Sequence, residues 1–232
     1  MSKSTTIDTL ELAKFAQLAQ KWWDSDGPLK TLHDINPVRI CYVKQHVNLN
    51  SASLLDVGCG GGVLSEGLAR EGGKVIGLDA EPEAIAAAQG HLKESGLSIN
   101  YVCSPIEHYE SNPFSIITCM EMLEHVANPQ LVIEHCARLL EPNGVLYLST
   151  INRTPQAYAG VIIGAEYVLN LLPRQTHDFA KFIKPSELTS LVRRARLEPF
   201  NLTGLAYNPF TRKASLHSSV HINYLLACRK PA

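Results

Sequence analysis

"LLDVGCGGGVLSEGLARE", residues 54–71, decides the fold. Leu54, Leu55 and Val57 read as a buried strand, Gly58, Gly60, Gly61 and Gly62 as a turn, and Val63 onward as a helix. Glycines between a strand and a helix permit a sharp turn and let a ligand approach the backbone, where helix N-terminal amides point at it. A glycine loop alone is a weak signal. Here a second strand, "KVIGLD" (74–79), ends at Asp79, 21 residues after Gly58. That spacing suits a carboxylate gripping ribose hydroxyls at the carboxyl ends of parallel strands, so an adenosine ligand is expected.

Outward from this unit the alternation continues. "PEAIAAAQGHLKES" (82–95) and "PQLVIEHCARLLEP" (129–142) read as helices, and "INYVC" (99–103), "SIITC" (115–119) and "NGVLYLST" (143–150) as strands. Strands alternating with helices of ten or more residues imply right-handed βαβ units and a parallel sheet covered on both faces. "PSELTSLVRRARL" (185–197) adds a helix. "EPFNLTG" (198–204) and "VHINYLLAC" (220–228) follow without a helix between them and are expected to pair antiparallel. Before the sheet, residues 7–24 read as a helix with Asp8 as cap and Glu11 three residues on. "DSDGPLKTLHDINP" (24–37) reads as loop, with a short helix after Pro37. The expected organisation is one domain over 1–232: N-terminal helices to 50 covering the ligand site, a binding core over 51–152, an apolar insertion over 153–184, and a C-terminal helix and strands.

The 232 residues carry 45% hydrophobic and 19% charged side chains, the balance of a packed globular chain. A net charge of −1 gives no global basic field, so no nucleic-acid partner is expected. The six cysteines form no C-x-x-C pair and read as reduced thiols of a cytoplasmic protein, and the N-terminus has no signal-peptide core.

The loop also discriminates among adenosine ligands. A dinucleotide fingerprint requires glycine at 63, where this chain has Val63, and Asp56 immediately precedes the loop. A carboxylate there repels a pyrophosphate and suits a ligand bearing an ammonium and a sulfonium, which favours S-adenosylmethionine over NAD. The alternative role for Asp56 is a hydrogen bond that braces the loop.

"LDVGCGGG" with "GLD" resembles motif I and its acidic partner in class I S-adenosylmethionine-dependent methyltransferases. The resemblance implies a Rossmann-like α/β fold, a seven-stranded, mostly parallel sheet with an antiparallel last strand and helices on both faces. "KWWD", "LHDINPVRI", "TCMEMLEHV", "STINR", "GAEY", "THDFAKFIKPSEL", "TGLAYNP" and "NYLLA" resemble, in order from Trp22 to Leu226, the ubiquinone-biosynthesis O-methyltransferase family. That resemblance implies methylation of ring hydroxyls on polyprenyl phenols and catechols, of the 3-demethylubiquinol and 2-polyprenyl-6-hydroxyphenol type. It implies cofactor contacts at Arg39, Gly58, Asp79 and Met120. Gly60 joins them from the loop itself.

"CMEMLEHV" (119–126) puts Glu121, Glu124 and His125 at i, i+3 and i+4, one face if the stretch is helical. It follows a strand end, where open α/β sheets bind ligands. A phenol of pKa about 10 is about 3.5 units above a histidine base, on the order of 5 kcal/mol uphill. A divalent cation (Mg²⁺, Mn²⁺ or Zn²⁺) can stabilise the oxyanion, and members of the resembled family are described as using one. Glu121, Glu124 and His125 are therefore candidate metal ligands. The alternatives are metal-free acid–base chemistry with His125 as base and Glu121 beside it, and a structural role. Asn152 is a weaker candidate for lending a carbonyl.

"AYAGVIIGAEYVLNLL" (157–172) is an apolar run of 16 residues, shorter than the roughly 20 a membrane span needs. Arg153, Arg174, Lys181 and Lys184 flank it. It reads as a packed lid or as an interfacial helix meeting anionic lipid, which would make the protein peripheral on the inner membrane face. His177 and Asp178 form a possible second acid–base pair or a loop cap. Other ubiquinone-biosynthesis enzymes are possible partners. Two rival readings stand: a nicotinamide dehydrogenase, which lacks its third glycine here, and a non-catalytic S-adenosylmethionine- or lipid-binding component of a biosynthetic complex.

Overall fold

The structure, a computed structural model, describes residues 5–162 and 178–232. Eight strands form one sheet: β1 (Ser53–Val57), β2 (Lys74–Asp79), β3 (Asn100–Cys103), β4 (Phe114–Met120), β5 (Leu140–Ile151), β6 (Glu198–Asn208), β7 (Lys213–His217) and β8 (Asn223–Arg229), in the order β3-β2-β1-β4-β5-β8-β6-β7. The first five are parallel, and β8 runs antiparallel between β5 and β6. This is the expected Rossmann-like arrangement with one strand more. The addition is β7, which pairs antiparallel with β6 at the sheet edge.

The strands carry consecutive apolar residues because both sheet faces are covered. Leu55, Ile117, Leu146 and Leu226 point to one side, where α5 (Pro129–Leu139) contributes Ile133 and α6 (Pro185–Arg194) contributes Leu188 and Val192. Their neighbours Leu54, Ile116, Tyr147 and Leu225 point to the other. There α2 (Lys30–Lys44) supplies Tyr42 and Val43, and α3 (Val63–Arg70) supplies Leu64 and Leu68. The period-2 alternation thus feeds two separate cores. Helix α4 (Pro82–Ser95) covers β3, its Ile85 and Ala88 packing in one cluster with Tyr101 of that strand.

The N-terminal region differs from its sequence reading. Helix α1 spans only Thr9–Leu18, followed by a 3₁₀ turn at Ala19–Lys21. Helix α2 begins at Lys30, within the stretch read as loop, and Pro37 lies inside it. Pro37 forfeits the bond its amide would give to the His33 carbonyl. Burial of Ile35, Arg39, Tyr42 and Val43 on one face offsets that loss.

Strand β7 explains how α2 is held. Ala214 and Leu216 pack into the same core as α2. The Arg212 guanidinium donates to Asp34 at 2.9 and 3.0 Å, to Asp26 at 2.5 Å and to the Ser25 carbonyl at 2.6 Å. Tyr207 donates to the same Asp34 at 2.7 Å. The β6–β7 hairpin is tied at its tip to the start of α2.

Candidate active site

Strand β1 has β2 on one edge and β4 on the other, so the connections after β1 and β4 leave the sheet in opposite directions. A crevice opens at the carboxyl ends of these two strands. Its walls hold Arg39, Gly58, Gly60, Asp79, Met120, Glu121 and His125. Seven of the eight candidate site residues thus share one cavity. Glu124 does not line it and faces a second cavity with Arg153 and Lys181.

The glycine loop is shaped by what lies on it. Gly58 (φ +72°) and Gly60 (φ +52°) adopt left-handed backbone, and a Cβ on Gly60 would sit 2.0 Å from the Trp22 ring. The adjacent Trp23 donates from Nε1 to the Gly61 carbonyl at 2.8 Å and stacks on His91 with ring centroids 3.4 Å apart. "KWWD" therefore clamps the loop, a role the sequence alone did not assign. Asp79 Oδ2 accepts the Gly60 amide at 2.8 Å and Oδ1 the Glu81 amide at 2.9 Å, joining the end of β2 to the loop.

Asp56 braces the loop. Its oxygens accept Ser65 Oγ at 2.6 Å and Thr118 Oγ1 at 2.7 Å, linking β1 to α3 and β4, while burial pushes its carboxyl above the usual range. Arg39 is only 4% exposed. It donates to Asn36 Oδ1 at 3.0 Å and to the Leu32 carbonyl at 3.3 Å, and its buried Nε has no partner among the described residues. A buried guanidinium with an unspent donor fits a ligand carboxylate, since an unmade hydrogen bond there costs on the order of 1–3 kcal/mol. Together with Asp79 and the loop amides, these groups fit S-adenosylmethionine.

The three residues of "EMLEH" are not arrayed on one helix face. Glu121 is left-handed (φ +56°), and only a short 3₁₀ turn, Leu123–His125, follows. The side chains consequently diverge. The Glu121 carboxylate accepts Ser149 Oγ at 2.6 Å and Asn223 Nδ2 at 3.2 Å, while Glu124 accepts Thr150 Oγ1 at 2.8 Å. The His125 Nδ1 meets Glu11 Oε2 at 3.0 Å. Among the described residues no three histidine, cysteine, aspartate or glutamate side chains are gathered so as to hold a metal ion. The expected shared helix face is corrected accordingly: the turn at Glu121 breaks the helical spacing, so the three candidate ligands lie apart in this structure. Asn152 donates to the Val220 carbonyl at 2.8 Å and lies off the crevice.

Helix α1 closes the crevice, with Asp8, Glu11 and Phe15 on its wall. Asp8 caps α1 by accepting the Leu10 and Glu11 amides at 3.0 and 3.3 Å. Glu11, instead of completing a capping box, is buried against His125, Lys14 (3.1 Å) and Lys181 (2.9 Å). Burial works against its charge, but the bonds from His125, Lys181 and Lys14 prevail and bring its pKa down to about 2.

Of the segment over 153–184, residues 163–177 lie outside the described residues, including Glu166, Asn170, Arg174 and His177. Two of its basic residues are spent internally: Arg153 pairs with Glu187, and Lys181 with Asp8 and Glu11. Lys184 is exposed. Asp178 caps a 3₁₀ turn, accepting the Ala180 amide at 2.9 Å. Among the described residues no helix is long and apolar enough to cross a membrane.

Residues 55–148 match the family model of a methyltransferase domain. The ubiquinone biosynthesis O-methyltransferase of Nitrosospira multiformis is 48% identical over 229 residues, 97% of this chain and 96% of that protein. The one from Dechloromonas aromatica is 49% identical over 222 residues, 94% and 96% of the respective chains. The chain belongs to the ubiquinone biosynthesis O-methyltransferase family. Among solved structures, magnesium protoporphyrin IX methyltransferase from Synechocystis with bound SAH has the same fold, with a TM-score of 0.73 at 18% identity over 96% of this chain and 99% of that one.

Two expectations follow. Gly60→Ala forces a side chain into Trp22, so S-adenosylhomocysteine affinity measured by calorimetry falls at least about tenfold, the equivalent of about 1.4 kcal/mol; unchanged affinity would separate the loop from cofactor binding. Glu124 has its carboxyl pushed up to about 8 by burial and by neighbouring Glu121. The folded state then holds a proton that the unfolded state releases near the ordinary glutamate value of 4.5, so stability declines as pH rises from about 4.5 to 8. In urea unfolding, Glu124→Gln gains on the parent between pH 5 and pH 8 by up to a few kcal/mol. A constant difference across that range would contradict this burial.

Proposed function

We propose that this family member uses S-adenosylmethionine to methylate ring hydroxyls of polyprenyl phenol and catechol intermediates, of the 3-demethylubiquinol and 2-polyprenyl-6-hydroxyphenol type, in ubiquinone biosynthesis. The observation that carries the reading is one crevice in which a glycine loop, Asp79 and a buried Arg39 face Glu121 and His125. S-adenosylmethionine supplies an electrophilic methyl on sulfonium. The chain's own residues bind and orient it. Arg39 pairs with the methionyl carboxylate, Asp79 with the ribose hydroxyls, Gly58 and Gly60 allow close backbone approach, and Met120 forms an apolar wall.

The substrate oxygen forms its bond to carbon as the sulfur–methyl bond breaks, and the phenolic proton passes to His125. Holding the reactants in line is the protein's larger contribution. Glu121, fixed by Ser149 and Asn223, lines the same crevice as His125. Methyl transfer from labelled S-adenosylmethionine to a short-prenyl catechol tests this directly. Turnover that falls about 100-fold or more in His125→Ala supports it. Cofactor binding without turnover in the parent would leave the scaffold reading instead.

A divalent cation belongs to the proposal in a narrower sense. Glu121, Glu124 and His125 have the donor chemistry for Mg²⁺, Mn²⁺ or Zn²⁺, and Glu124 Oε1 is buried without a partner among the described residues. Such an ion would lower the phenol's pKa. The three side chains would have to turn toward one another, so no step above runs through a metal. Activity lost to EDTA and restored by one of these ions would support the ligand set; activity indifferent to EDTA ends it.

Membrane association through residues 153–184 is the second part of the proposal. With Arg153 and Lys181 engaged within the chain, attraction to anionic lipid, about 1 kcal/mol per free basic residue, weighs less than apolar burial. Deleting residues 160–175 is expected to abolish co-sedimentation with anionic vesicles while S-adenosylhomocysteine binding persists. Raising the salt is expected to weaken vesicle binding only modestly. Undiminished binding by the deletion variant would refute the assignment.

A further inference from the structure

Asn36 is buried behind the crevice wall, yet both ends of its amide are committed to residues that line the crevice. Its Oδ1 accepts Arg39 Nη2 at 3.0 Å, and its Nδ2 donates to the carbonyl of Val63 at 2.9 Å. Val63 opens α3 directly after the glycine loop. A guanidinium can only donate and a carbonyl can only accept, so these two partners fix which way the amide points. Leu32, Asn36 and Arg39 stand at i, i+4 and i+7, one stripe along α2. Arg39 runs back along that stripe, as helical side chains tilt toward the N-terminus, and its Nη2 also reaches the Leu32 carbonyl at 3.3 Å. Both hydrogens of Nη2 are thereby spent inside the protein, and the Nε–H is left without a partner among the described residues.

The junction is shaped for close approach. Gly67 lies inside α3, where glycine ordinarily weakens a helix, and a Cβ there would sit 2.4 Å from Ile40 Cδ1 and 3.0 Å from Asn36 Nδ2. With no side chain at 67, α2 comes near enough for the amide to bond the first carbonyl of α3.

We propose that Asn36 is a positioning residue for cofactor recognition: its neutral amide ties the Arg39 guanidinium to the start of α3, so that the uncommitted donors meet the methionyl carboxylate. The inference rests on Arg39 being the partner of that carboxylate. An aspartate at 36 would accept from Arg39 but could not donate to Val63, and its charge would compete with the ligand for the guanidinium. The amide holds the cation in place and leaves its charge for the ligand. Asn36 thus sets how strongly the site prefers a ligand that carries a carboxylate over one that lacks it.

Calorimetry on the full chain with two ligands, S-adenosylhomocysteine and its decarboxylated counterpart, tests this. In Asn36→Leu the affinity for S-adenosylhomocysteine is expected to fall about tenfold or more, while that for the decarboxylated ligand stays within about twofold of the parent. Asn36→Asp, of nearly unchanged volume, is expected to lose the same preference and serves as the test should Asn36→Leu fail to fold. In an Arg39→Met background, Asn36→Leu costs less than about twofold, because its route to the ligand is gone. An unchanged ratio of the two affinities in the Asn36 variants, whether both hold or both fall, overturns the positioning role, as does a full further loss in the Arg39→Met background. Parent-like S-adenosylhomocysteine affinity in Arg39→Met instead overturns the carboxylate assignment beneath it.

Discussion

The position of β1, with β2 on one edge and β4 on the other, is the constraint on which the rest depends. Chain leaving β1 turns toward β2, and chain leaving β4 turns toward β5. The space between is where two neighbouring loops diverge at this edge. The glycine loop and the turn at Glu121 are the two sides of that gap. Their closeness is visible at Gly58, where an added Cβ would lie 2.6 Å from the sulfur of Met122. Cofactor loop and reactive turn are therefore assembled by sheet order rather than by any contact that had to be selected separately.

What closes the gap is drawn from the ends of the chain. Trp22 lies on the glycine loop, Arg39 enters from α2, and α1 spans the opening with Glu11 and Phe15. Helix α2 is itself fixed by the β6–β7 hairpin through Arg212, so a late addition to the sheet edge steadies an early helix. The resulting charge pattern is lopsided. Asp56, Asp79, Glu121 and Glu11 line the cavity together with the buried guanidinium of Arg39. An excess of carboxylates around one guanidinium suits a ligand with two positive centres and one carboxylate, and opposes a pyrophosphate. In the sequence this discrimination rested on Val63 in place of a third glycine and, for its electrostatic part, on Asp56. With both Asp56 oxygens occupied by Ser65 and Thr118, it rests on the whole cavity.

The parallel core was legible because its signals are local. Apolar strand runs, the glycine turn and the Gly58–Asp79 spacing each lie within about two dozen residues, and the strand readings there agree with β1–β5 to within a few residues. Two kinds of feature escaped. Helix α2 was hidden by Gly27, Pro28 and Pro37, residues that ordinarily interrupt helices, because the packing of Tyr42 and Val43 that overrides them includes Tyr147 and Asn201, more than 100 residues away. Strand β7, five residues long and only half covered, offered too little apolar pattern to stand out. Glu11 carried a plausible local explanation as part of a capping box, and two of its partners, His125 and Lys181, lie 114 and 170 residues away.

The "EMLEH" stretch shows why spacing is weaker evidence than it looks. An i, i+3, i+4 pattern places side chains together only if the backbone between them is helical. At the carboxyl end of a parallel strand the chain must instead leave the sheet sharply, and here a left-handed Glu121 takes that turn. A non-glycine residue in that conformation costs on the order of 1 kcal/mol and persists only where its surroundings hold it. Its amide donates to the Ser149 carbonyl and hydroxyl, and its carboxylate accepts from Ser149 and Asn223. The strain sends Glu121 to the cofactor side, Glu124 into the protein toward Thr150, and His125 to α1. Each of the three thereby acquires its own partner, and Glu124, which turns into the protein toward Thr150, is the one whose carboxyl burial pushes up.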